Sequence, residues 1–125
     1  MLPYFENDYS EYHLRDGILI ITYKKGVYMD LKAAVQIVKD RLAMQEGQSL
    51  PILCDIQGIN EIDKSARNYL AMEGSTLIKS VAFLVKSPVS KMMFKFFLRT
   101  NKPPIPIQCF DNLDDAIIFL NKFKN

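Results

Sequence analysis

Apolar positions along this chain alternate between short continuous runs and stripes of helical period. The run Ile18-Leu19-Ile20-Ile21 is apolar on both faces of a pleat, as expected of a strand covered on two sides. Asp16-Gly17 just before it, with "EYHLR" upstream, predicts a hairpin. Gly26 after Lys24-Lys25 predicts a bend or bulge before Val27-Tyr28-Met29. From Leu31 to about Glu46 the period becomes helical, with Leu31, Ala34, Val35, Val38 and Leu42 on the apolar stripe. Lys32, Gln36, Lys39 and Asp40 take the wet face, Asp30 the N-cap and Gly47 the stop.

"LPILCDIQG" is the next strand, from Pro51 at its entrance to Gly58 at its exit. A helix then starts at Asp63, turns Ala66, Tyr69, Leu70 and Met72 inward, and weakens at Gly74. "KSVAFLVKS" reads as another buried strand. Ser87-Pro88 opens the helix "VSKMMFKFFLRTN", with proline at the first helical position, where the missing N–H is no loss. A strand from Ile105 to Phe110 follows, placed at a sheet edge by Pro106. Asn112 caps "LDDAIIFLNKFK"; Asp114 and Asp115 in its first turn and Lys122 and Lys124 in its last suit the helix dipole. The order ββαβαβαβα predicts an α/β fold: a five-stranded mixed sheet with an N-terminal β-hairpin and four helices, in one domain over 1–125.

Composition narrows the class. The 125 residues are 49% hydrophobic and 24% charged, the balance of a folded globular domain, and a net charge of +2 does not point to nucleic acid. Cys54 and Cys109 sit in apolar runs and are expected to be buried free thiols, as in a reducing compartment. The N-terminus lacks the pattern of a signal peptide, and no apolar run is long enough to span a membrane; a cytoplasmic protein is the expectation. No cofactor motif and no metal-type cysteine spacing occurs, so no cofactor or metal is expected. His13, the one histidine, falls on the first strand with no recognisable partner and reads as a surface residue. Asp55 and Asp63, with Glu61, are the carboxylates that fall together at the carboxyl end of the strands. Catalysis there would need one of them buried in a cleft with a shifted pKa, and no nucleophile or histidine accompanies them. The chain is therefore not read as an enzyme.

The element order and the stretch "CDIQGINEIDKSARNYL" resemble the STAS domain, the fold of bacterial anti-sigma-factor antagonists and sulphate-transporter tails. The family pattern is a strand ending in Asp, a loop of about seven residues, and Asp-Ser-Ser-Gly at a helix start, where the second Ser accepts phosphate in the antagonists. Here Asp55 ends the strand, Gly58 lies in the loop, and Asp63-Lys64-Ser65-Ala66 stands at the motif. Ser65 falls on the phosphorylatable place. Lys64 replaces the first Ser and Ala66 the Gly, a departure that makes the chain similar to divergent STAS-like or Sec14-like small bacterial proteins. The resemblance implies a protein partner, bound around Asp55, Asp63, Lys64, Ser65 and Arg67. The residues alone also allow Ser65 to be an ordinary first-turn serine.

The helix that Ser87-Pro88 opens carries more apolar surface than one stripe needs. Met92, Met93, Phe96 and Phe97 with Val89 are expected to face the core, leaving Phe94 and Leu98 to one side beside the cations Lys91, Lys95, Arg99 and Lys102. Three readings compete: cover by other parts of the chain, a homodimer interface, or an anionic membrane surface or acyl chain. The expected function is a non-catalytic bacterial regulatory module that binds a protein partner, with Ser65 as a candidate phosphorylation switch. The alternative is a small apolar or lipid ligand held by the Met/Phe-rich helix 88–100, which predicts a cavity of a few hundred Å³ lined by Met92, Met93, Phe96 or Phe97.

Overall fold

The structure, a computed structural model, describes residues 3–88, 91–92, 94–95 and 104–124. In chain order its elements are β1 (Tyr4–Glu6), β2 (Ser10–Arg15), β3 (Ile18–Tyr23), β4 (Val27–Met29), α1 (Leu31–Gln45), β5 (Leu50–Asp55), β6 (Ile59–Ile62), α2 (Lys64–Met72), β7 (Ile78–Leu84), β8 (Ile107–Phe110) and α3 (Leu113–Asn121). Between β7 and β8, Pro88, Lys91, Met92, Phe94 and Lys95 are helical. The Lys91 N–H donates to the Ser87 carbonyl at 3.0 Å, as an N-cap at Ser87 requires.

The main sheet is mixed and runs β1-β2-β3-β5-β7-β8. β1, β2 and β3 are antiparallel neighbours around the expected Asp16-Gly17 turn, and β3, β5, β7 and β8 are parallel. β8 is an edge strand that begins at Ile107, one residue past Pro106, so the proline asks nothing of the ladder. Each sheet face has its own cover. Tyr12, Leu19, Ile21, Ile52, Cys54 and Val81 pack toward α1, Ala66 of α2 and Phe94. Ile18, Leu53 and Ala82 pack on Ala116 and Leu120 of α3.

Six strands stand in the main sheet, not five, because Tyr4-Phe5-Glu6 adds an edge to the hairpin, with Phe5 against Tyr12. A further two-stranded parallel sheet joins β4 to β6. Gly26 does not merely bulge a strand. At φ +86° it turns the chain out of the main sheet, and the Gly26 and Val27 N–H groups donate to the Gly58 carbonyl at 2.8 and 3.2 Å. Of the four expected helices, three are described in full, and the fourth, expected from Ser87-Pro88 on, falls only in part on described residues.

Several side chains lie elsewhere than expected. The buried stripe of α1 is Ala33, Ala34, Ile37, Val38, Arg41, Met44 and Gln45, while Leu31 and Val35 are exposed. Two buried polar residues extend that stripe, so a count of apolar residues alone rotates it toward Leu31. Met72, expected inside, is 77% exposed in the last turn of α2. α3 stops at Asn121, which leaves Lys122 as C-cap and Lys124 beyond it. Cys54 is buried, but Cys109 is exposed on the edge strand.

Candidate functional site

β4 and β6 lie side by side, and each runs directly into a helix. Met29 pairs with Ile62; Asp30 and Asp63 follow as N-caps, and α1 and α2 therefore start next to each other. The two caps have the same geometry. Asp30 accepts the Ala33 N–H at 2.8 Å and Asp63 the Ala66 N–H at 2.8 Å. The Asp63 N–H donates across to the Met29 carbonyl at 3.0 Å, which ties the start of α2 to β4.

Ser65 is the second residue of α2 and is exposed, as is Lys64. Arg67 is half-buried one turn in, its Nη1 at 3.5 Å from the Ile62 carbonyl. Asp55 does not join them. Cys54 faces α1, so the pleat turns Asp55 to the α3 side of the sheet, where it accepts from the Gln57 N–H at 3.1 Å and from Gln57 Nε2 at 2.9 Å. Asp55 thus holds the loop after β5, and Asp63 holds a helix; both carboxylates are half-exposed rather than sunk in a cleft. His13 is exposed on β2 against the Tyr4 ring, centroids 4.7 Å apart.

An apolar patch missed in the sequence borders the helix starts. Tyr28 is half exposed on β4, and Leu31 and Val35, one turn apart on α1, are exposed as well. The Tyr28 phenol is raised above its usual pKa, first by desolvation and then by the negative charges of Asp63, Glu61 and Asp30. The alternation in Val27-Tyr28-Met29, with Val27 and Met29 buried, is the signal that turns Tyr28 outward.

Beneath α2 the structure holds an apolar cavity of about 120 Å³, lined by Ile21, Ile52 and Val81 of the sheet, Ile37 of α1, Leu70 of α2 and Phe94. Phe94, expected at the side of its helix, is 7% exposed and packs on Phe83, ring centroids 5.2 Å apart. Met92, expected to face inward, is 70% exposed. At these two positions the outcome is the reverse of the expectation, and Phe94 contributes to the wall. Met93, Phe96, Phe97 and Leu98 lie outside the described residues.

The model of a family described as a domain of unknown function, DUF7793, matches residues 12–124. The chain belongs to this family. No curated protein matches this DUF7793 chain in sequence. Among solved structures, it is similar to an uncharacterized protein of the DUF3478 family with a SpoIIAA-like fold from Shewanella loihica PV-4. That pair is 12% identical over 93% of this chain and 98% of the other, with a TM-score of 0.64. It is also similar to an anti-sigma factor antagonist from Mycobacterium paratuberculosis, 15% identical over 90% of this chain and 92% of the other, with a TM-score of 0.59. At such identities the likeness is one of fold, and the fold is STAS-like. Among the described residues no helix is long and apolar enough to cross a membrane, and no three His, Cys, Asp or Glu side chains gather to hold a metal ion.

Proposed function

We propose that the chain is a non-catalytic regulatory module that binds a protein partner where α1 and α2 begin side by side, with phosphorylation of Ser65 as its switch. One observation carries this reading: Ser65 is exposed in the first turn of an Asp-capped helix whose start neighbours that of α1, and Tyr28 before α1 and Leu31 and Val35 on it are exposed apolar residues. An apolar centre with a polar rim is what a protein interface needs, and Asp63, Lys64, Arg67 and Glu61 supply the rim. Asp55 acts on this surface only through the loop it holds. The fold shared with an anti-sigma factor antagonist supports a protein partner as the ligand.

A phosphate on Ser65 would add about −1.5 to −2 charges at the positive end of α2, which tolerates an anion. The helix would stay folded while the partner meets a changed surface. Phosphopeptide mapping of the protein from its native host, with partner capture by Ser65→Ala, Ser65→Asp and Leu31→Lys variants, tests this. A partner held by Ser65→Ala and lost from Ser65→Asp and Leu31→Lys is the expected result. Ser65 without phosphate under every growth condition, or a partner indifferent to both substitutions, would overturn it. Interaction through the Met/Phe-rich helix, as a homodimer, has Met92 between exposed Lys91 and Lys95 as its support, and light scattering would test it. A second reading, a small apolar ligand held inside the fold, is favoured by the cavity to which Phe94 contributes.

A further inference from the structure

The cavity has one feature that an apolar core does not require. Arg41, 3% exposed, is among its lining residues, together with Tyr23, Cys54 and Ser75, and among the described residues no Asp or Glu lines it. The guanidinium donates to Gln45 Oε1, to the Thr76 carbonyl at 3.0 Å and to the Gly74 carbonyl at 3.1 Å. All three acceptors are neutral. Asp40, the neighbouring acid in sequence, turns away to Asn7 Nδ2 at 2.8 Å and Gln36 Nε2 at 2.9 Å.

The groups whose ionisation bears on Arg41 are Cys54, Tyr23 and Tyr12. Burial raises the Cys54 thiol to about 12 and holds the Tyr23 phenol well above its usual value. Both are protonated at neutral pH, and neither balances the cation. Burial also lowers Arg41 itself, yet a guanidinium starts so high that it keeps its charge. A buried charge is ordinarily paired; this one is solvated by carbonyls, has no counter-ion among the described residues, and borders an apolar space.

We propose that the cavity binds a small carboxylate with an apolar body about the size of one ring, its carboxylate on Arg41 and its body against Ile52, Val81 and Phe94. This rests on the second reading above, an apolar ligand inside the fold, and names its chemical class. The guanidinium uses three of its N–H contacts on the protein, and its planar fork suits a carboxylate. The volume is close to the roughly 150 Å³ of an engineered dry cavity that takes benzene.

The test is calorimetric titration of the full chain with benzoate, and with benzyl alcohol as its neutral counterpart. Benzoate is expected to bind at least about tenfold more tightly, since only it meets Arg41 as a charge. Arg41→Gln should erase that preference. Val81→Phe, which fills the space, should abolish binding of both while the protein still unfolds cooperatively. Equal binding of the two probes to the wild-type protein would overturn the carboxylate assignment and leave the apolar-ligand reading standing. Binding of neither probe would overturn both, and benzoate binding that survives Val81→Phe would place the anion outside the cavity. The wild-type comparison decides the matter even where Arg41→Gln does not fold.

Discussion

Asp63 both caps α2 and stands in the proposed partner surface, and two substitutions separate those duties. Its carboxylate oxygen accepts the Ala66 N–H, which an asparagine oxygen reproduces and alanine does not. Asp63→Ala is expected to lower stability by about 1 kcal/mol. Asp63→Asn keeps the cap and loses only the favourable charge at the helix start, less than about 0.5 kcal/mol. Urea unfolding of the two variants checks this, and equal losses would mean that charge, not the cap, holds the start of α2. Caps are legible in a sequence because they are local: Asp30, Asp63 and Asn112 each precede an apolar period, and each accepts the N–H three residues on. Arg41 and Gln45 were not legible. Their burial depends on carbonyls of Gly74, Thr76 and Leu77, more than 30 residues along the chain, and nothing around position 41 announces those partners.

At the scale of elements, the β5–β6 turn shows why the site was only half readable. The strands β2, β3, β5, β7 and β8 stood out because each has an apolar run or a turn pair beside it. β6 is four residues with Asn60-Glu61 at its centre, and neither its length nor its pattern separates it from a loop. It exists because Gly58 lets the loop lie against the backbone that leaves β3. A Cβ on Gly58 would sit 2.3 Å from the Tyr23 carbonyl oxygen and 2.5 Å from that of Lys24. Both are main-chain atoms, which cannot swing aside as a side chain does. Gly58→Ala is therefore expected to destabilise by at least about 1–3 kcal/mol, the range for overpacking, and to loosen the β4–β6 pair first. Hydrogen exchange reads that directly. The Gly26 and Val27 amides, both bonded to the Gly58 carbonyl, should lose protection before those of β5 and β7; unchanged protection would refute the account. The position of Ser65 could be read from its cap, but the neighbouring start of α1 could not, because α1 and α2 begin side by side only once β4 and β6 have paired.

At the scale of the whole molecule, the main core places three acidic protons where water does not reach. Burial raises Cys54 from 9.0 to about 12 and Tyr12 from 10.0 to about 12, and Tyr23 lies well above 10.0. For Cys54 and Tyr12 the Arg41 guanidinium pulls the other way, and burial prevails. The folded chain therefore holds protons that the unfolded chain releases, and between the unfolded and folded values the unfolded state binds fewer. Stability must then fall as pH rises through that window, and below about pH 9 these groups contribute no pH dependence. Cys54 acts first, with a slope that approaches about 1.4 kcal/mol per pH unit once its unfolded value is passed; the tyrosines join above 10. Urea unfolding from pH 7 to 11 should show a plateau that bends downward near pH 9. In Cys54→Ala the bend should move up to about pH 10, where Tyr12 and Tyr23 take over, whatever the variant's overall stability. Tyr12→Phe should leave the first bend in place and flatten the later descent, and it should also lose the 2.9 Å hydrogen bond from the phenol to the Ile37 carbonyl. A bend that stays at pH 9 without the thiol would mean that Cys54 reaches solvent, and that the cavity it lines opens more readily than its walls imply.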